Sequence, residues 1–203
     1  MPLHRRSSPL AAWFAAANGV LIVYACLHPF TGWRDPGLPV FYFLEQPWPR
    51  YYTWVDLTVN VVGIVPFSFA LTAALPERLS RNRAVVTAIL LTFLLSLSVE
   101  TLQNFLPSRV PSNVDVGCNT LGGVIGALAG GFWSGRLFDP RSGLTRWRKR
   151  HIVSGQVGEI GLVVLGLWLL TLLTPESLLF ATGDLRRLFD LPTPLQFNPT
   201  RFV

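Results

Sequence analysis

Residues 100–119 read ETLQNFLPSRVPSNVDVGCN. The segment closes one apolar run and opens the next, and it sets Glu100, Gln103, Arg109, Asp115 and Asn119 where a chain in lipid should avoid polar groups. A charge at the bilayer centre costs roughly 2.5–3.5 kcal/mol by insertion scales, and less toward the edge. Two offsets are open: internal pairing that pins helices together, or a polar cleft open to the outer surface.

The flanking sequence decides which solvent applies. Half of the 203 residues are hydrophobic and 14% are charged, and the mean hydropathy is +0.42, which disfavours a soluble globular chain. The reading is all-α: a multi-pass membrane bundle of about five transmembrane helices. Seventeen Lys and Arg stand against eleven Asp and Glu, but the basic residues cluster in short links between apolar runs, as membrane topology requires. A nucleic-acid partner is therefore not expected.

Downstream and upstream of the central segment, the expected spans are 10–28, 54–75, 84–105, 116–133 and 157–173. Each is long enough at 1.5 Å per residue to cross most of a hydrocarbon core of about 30 Å. Pro66 should kink the second, and Pro107 stops the third. A cleaved signal peptide competes for the first, with Val23-Tyr24-Ala25-Cys26 as a weak processing site. Between the first two, Phe30, Trp33, Phe41, Tyr42, Phe43, Trp48, Tyr51 and Tyr52 form an aromatic loop suited to the headgroup layer. The expected divisions are a basic amino terminus, 1–9; a four-helix membrane domain, 10–135; a basic loop, 136–156; an added helix, 157–175; and an interfacial or poorly ordered tail, 176–203, past which the natural chain is free to extend.

Orientation follows from charge. With the amino terminus inside, the inner links hold eleven basic residues and the outer ones six, which favours a cytoplasmic amino terminus and an outward-facing 100–119 segment. Glu100, sixteen residues into the third span, then lies about 24 Å deep, roughly one turn below the outer surface. Asp56/Asn60 and Asp115/Asn119 are i,i+4 pairs that reach the same level, and Ser96, Glu100 and Gln103 share a face of the third span. The candidate cleft is therefore Asp56, Asn60, Glu100, Gln103, Arg109, Asp115 and Asn119. Arg109 can bridge Glu100 and Asp115 or offer a fork to an anion. Gly122, Gly126 and Gly130 form a close-packing track, flanked by Gly123 and Gly131. Cys26 and Cys118 both fall at outer helix ends, where an oxidising compartment would permit a disulfide; there is no Cys/His metal spacing.

The series Asp56-x3-Asn60 with Gly63 and Pro66, then Glu100-x2-Gln103-x5-Arg109-x5-Asp115-x3-Asn119 with Gly122, Gly123 and Gly126, resembles the motif set of VanZ-like proteins over residues 10–135. The resemblance implies a multi-helix bacterial inner-membrane protein and, in some members, lowered susceptibility to glycopeptide or lipoglycopeptide antibiotics; it supplies no biochemical mechanism.

The sequence leaves four functions open. The leading one is binding of a lipid-linked or anionic envelope ligand, with membrane lipids and a lipid-linked precursor as partners and Arg109 as the anion contact. An enzyme would use Glu100, Asp115 and Asp56 as paired carboxylates, alone or with a divalent cation; His4, His28 and His151 lie outside the cluster. Transport would need an oligomer, because a single five-helix unit lacks an inverted repeat. A scaffold without ligand is the fourth.

Overall fold

The computed structural model describes residues 8–48, 53–137, 143–151 and 155–173. The chain divides into two compact units, Met1–Val164 and Leu165–Val203, and the four long helices belong to the first. The basic residues Arg5 and Arg6, the ring pair Tyr51 and Tyr52, Arg141 and the tail from 174 onward lie outside the described residues.

Local sequence sets each helix end. Ser8 caps α1 (Pro9–Leu27), accepting the amide of Ala11 at 3.4 Å with Pro9 in the first turn. Pro29 lies just beyond its end, and the residue before a proline is pushed out of helical geometry, as His28 is. The aromatic loop contains one short turn, α2 (Tyr42–Glu45). Thr53 and Asp56 form a reciprocal capping box for α3 (Trp54–Ala74), which runs through Pro66 without ending there. Ser80 caps α4 (Arg81–Gln103). That start lies three residues earlier than the apolar pattern suggests, because the cap admits the charged turn Arg81-Asn82-Arg83.

Then come α5 (Asn113–Leu137), α6 (Gly143–His151) and α7 (Gln156–Leu173). By length and composition, α1, α3, α4 and residues Asn113–Gly135 of α5 are long and apolar enough to cross a membrane. The fifth span expected from the sequence corresponds to α7, whose apolar stretch Gln156–Gly166 falls short of that length among the described residues.

The four long helices run alternately up and down. α3 packs against α1, α4 and α5, its widest contact being with α5; α4 also meets α1 and α5, whereas α1 and α5 share no extended contact among the described residues. Glycines on α5 set the closest approaches. A methyl group at Gly122, Gly126 or Gly130 would collide with the backbone carbonyl of Val61, Val65 or Phe69 respectively. Both series advance by four, so α3 and α5 lie parallel and in register. The second glycine face meets α4: a methyl at Gly123 would come within 2.8 Å of Thr92 and one at Gly131 within 2.6 Å of Val85, and this series runs in opposite senses.

Small residues fill the centre. Ala70, Ala73, Ala84, Ala88 and Ala127 are buried, with Ser68, Thr72 and Thr92 among them. Val59, Val62, Leu90, Leu94, Leu121, Ile125 and Phe132 face outward. Water would favour the reverse arrangement. In lipid, where apolar side chains gain nothing by leaving the solvent, close backbone packing through small residues takes over. The buried hydroxyls are satisfied: Ser68 donates to the carbonyl of Gly123 (2.7 Å), and Thr72 and Thr92 donate to carbonyls four residues back.

Candidate functional site

At the end of the bundle where α1 and α4 finish and α3 and α5 begin, most of the polar residues singled out from the sequence meet through hydrogen bonds between elements. Asn60 of α3 donates to Asp115 of α5 at 2.7 Å. Asn119, one turn along α5, donates to Ser96 of α4 at 3.0 Å. Glu100, one turn further along α4 and 3% exposed, accepts the backbone amide of Ser112 at 2.9 Å. Gln103 donates to the carbonyl of Cys26 in α1 at 3.0 Å. Each bond crosses from one element to another, so the cluster ties α1, α3, α4 and α5 together at one level.

Two candidates lie differently from the sequence reading. Asp56 is exposed at the start of α3 and closes its own capping box, accepting from the amide (3.0 Å) and hydroxyl (2.7 Å) of Thr53. Arg109 turns away from Glu100 and Asp115. Its Nε and Nη2 donate to the carbonyl of His28 at 3.1 and 2.7 Å, and Nη2 also donates to that of Ala25 at 2.9 Å. The last carbonyls of a helix have no partner within it, and a cation there also meets the negative end of the helix dipole. Arg109 thus clamps the end of α1, and the fork expected to grip an anion is filled by a main-chain oxygen.

The disulfide is a correction as well: Cys26 and Cys118 are free. Cys26 packs beside Leu27, Val99 and Leu106, while Cys118 sits on α5, which shares no extended contact with α1 among the described residues.

The sequence reading missed Ser112. Thr53-x-Val55-Asp56-x3-Asn60-x2-Gly63 and Ser112-x-Val114-Asp115-x3-Asn119-x2-Gly122 are the same pattern, and each opens a helix. The Asp-x3-Asn pairs were visible, but the capping hydroxyl three positions earlier completes the signature. The wiring then differs. Ser112 caps α5 through the amide of Val114 at 3.2 Å, but Asp115 is engaged with Asn60. Glu100 takes over from another helix, holding the Ser112 amide as Asp56 holds that of Thr53.

The connecting loops are tied to this end. Arg34 donates its amide to Phe105 (3.0 Å), Asn113 donates to Gln46 (2.6 Å), and Phe43 is buried. Phe41, Trp33 and Trp48 stand exposed.

Below the cluster an open, almost wholly apolar groove of about 800 Å³ runs between α1, α3 and α4. Ala12, Ala16 and Gly19 give it depth on the α1 side, with Leu71 and Leu95 opposite, and Tyr24 and Phe30 close it toward the polar end. Phe30 has a left-handed backbone, φ 62°, uncommon for a bulky residue, and its ring lies 5.8 Å from that of Tyr24. The Tyr24 ring is also 5.5 Å from that of His28. Among the described residues, no three His, Cys, Asp or Glu side chains are grouped to hold a metal ion.

A multi-pass helical membrane protein, packed through small residues and laced by polar groups at one end, is the class these features define. The family model described as VanZ/LLP1 matches residues 8–134, and the chain belongs to that family. The match takes in all four long helices up to Ser134, with every residue of the polar cluster. No curated protein and no solved structure gives a match.

Proposed function

We propose that this protein binds an amphiphilic lipid of the bacterial cell envelope, with the lipid's tail in the groove between α1, α3 and α4 and its polar head at the polar end. The carrying observation is placement: an apolar groove of about 800 Å³, within the roughly 300–1,000 Å³ range of small-molecule sites, ends at Tyr24, beside His28 and beneath the laced loops. In this reading Tyr24 and His28 meet the head, and Arg109 acts by holding the carbonyls of Ala25 and His28 in place. The exposed Asp56 and the half-buried Asp115 at this end suit a head rich in hydrogen-bond donors, such as sugar hydroxyls, better than a bare anion. The charge count along the links favours an orientation with the polar end outward. If the head is that of a lipid-linked wall precursor, susceptibility to antibiotics directed at such precursors changes with it.

The test is a photoactivatable lipid analogue bearing a sugar head, cross-linked to full-length protein in nanodiscs. Labelling should map to α1, α3 and α4 and fall at least fivefold in Ala16→Phe, which fills the groove from an exposed position, at unchanged membrane abundance. Undiminished labelling in that variant overturns the proposal. A ligand-free scaffold is the second reading, favoured by the internal partners of the cluster; it expects diffuse labelling and loss of abundance whenever the cluster is cut.

A further inference from the structure

The link after α5, basic in sequence, contains the helix α6, GLTRWRKRH. Four of its nine residues are Arg or Lys and none is acidic. On a helix, positions 143, 146, 147, 150 and 151 share one face. That face carries Arg146, Trp147, Arg150 and His151, all exposed. The indole of Trp147 stacks on the His151 imidazole, with centroids 4.9 Å apart and planes at 26°, and Nδ1 of His151 lies 2.9 Å from the carbonyl oxygen of Trp147. Among the described residues α6 has no extended packing against another helix, so this face is uncovered. Charge in a loop is enough to orient a membrane protein. Arg148 and Lys149 fall off this face, so what exceeds that requirement is the exposed indole set between two guanidiniums on one side of a helix.

We infer that α6 is a docking face for an anionic lipid leaflet, Arg146 and Arg150 pairing with headgroup phosphates while Trp147 lies at headgroup depth. Charge complementarity supplies the attraction, since each basic residue near an anionic surface contributes about 1 kcal/mol, or roughly fivefold. An indole with its apolar body and polar edge is at home in the same layer. Reach selects a lipid surface over a soluble partner. Five residues separate α6 from the end of α5, a tether of at most about 18 Å, so the face stays within a short distance of the membrane that α5 crosses.

The inference is independent of the groove and is tested in a different region. Full-length protein is placed in nanodiscs of phosphatidylcholine alone or with phosphatidylglycerol added, and amide hydrogen exchange is followed over residues 143–151. Exchange is expected to slow several-fold with phosphatidylglycerol, and to recover in about 0.5 M NaCl, where exposed charges are screened. The double variant Arg146→Gln/Arg150→Gln should remove most of the difference, while α3 and α5 exchange alike throughout and report that the bundle is intact. Equal exchange in both discs overturns the inference, and so does protection that survives both salt and the double substitution. Stronger protection by RNA or by an acidic peptide in phosphatidylcholine discs than by phosphatidylglycerol also overturns it. The wild-type comparison needs no variant to fold.

Discussion

Replacing Gly126 with Ala should force α3 and α5 apart. The added methyl would collide with the carbonyl oxygen of Val65 and come within 3.0 Å of Cβ of Ser68 and 3.1 Å of the amide nitrogen of Phe69. Two of these obstacles are main chain and cannot rotate away, so an entire helix must move. Overpacking typically costs 1–3 kcal/mol, and a backbone obstacle places this site near the top, about 2–3 kcal/mol. Alanine is also the better helix former by about 1 kcal/mol, which works in the opposite direction. Gly117→Ala isolates that contribution, because nothing lies within 4 Å of a methyl there; it should be neutral or mildly stabilising. Gly130→Ala, whose nearest obstacles stand at 2.8 and 2.9 Å, should fall between the two. The assay is equilibrium unfolding of purified protein in mixed micelles by added SDS, followed by helicity. If Gly126→Ala and Gly117→Ala unfold within about 0.5 kcal/mol of each other, glycine does not set the α3–α5 contact and the parallel register argued from it is wrong.

Two further outcomes concern the polar end. Glu100→Ala leaves the Ser112 amide without its acceptor and should cost about 1–3 kcal/mol, whereas Glu100→Gln keeps an acceptor oxygen and should retain most of the stability in the same unfolding assay. Arg109→Ala should speed amide exchange in the last turn of α1 and in residues 28–34 while leaving α5 unchanged. Arg109→Lys should restore it only in part, because an ammonium cannot supply the two-nitrogen fork that His28 receives.

The spans were legible because lipid imposes a simple rule: about twenty apolar residues per crossing, with charge in the links. The glycine track on α5 was legible for a related reason, since close approach requires missing side chains at a four-residue spacing. Helix starts were harder to read. α4 begins at Arg81 and α5 at Asn113 because Ser80 and Ser112 cap them, and a hydropathy pattern does not register caps. That Asn60, Glu100, Asp115 and Asn119 gather at one end of the bundle was readable from i,i+4 spacing. The partner of Arg109 was not, because main-chain carbonyls more than eighty positions away leave no mark in side-chain identity. The free state of Cys26 and Cys118 was not readable either, because span counting supplies depth alone and a disulfide also needs the two residues side by side. Charge dominates the composition of residues 143–151, which gives the pattern of a loop, and the sidedness of α6 emerges only once the helix is drawn.

The matched series of glycines and carbonyls between α3 and α5 also limits how this molecule can move. Sliding one helix along the other by less than a full turn would drive side chains on α5 into the carbonyls of α3, so the pair behaves as one rigid wall with no intermediate positions. α1 is the counterpart, held at its finishing end by Gln103 and Arg109 through carbonyl oxygens that place no demand on side-chain identity. If the bundle ever opens to admit something from the bilayer, α1 is the door and the α3–α5 pair is the frame.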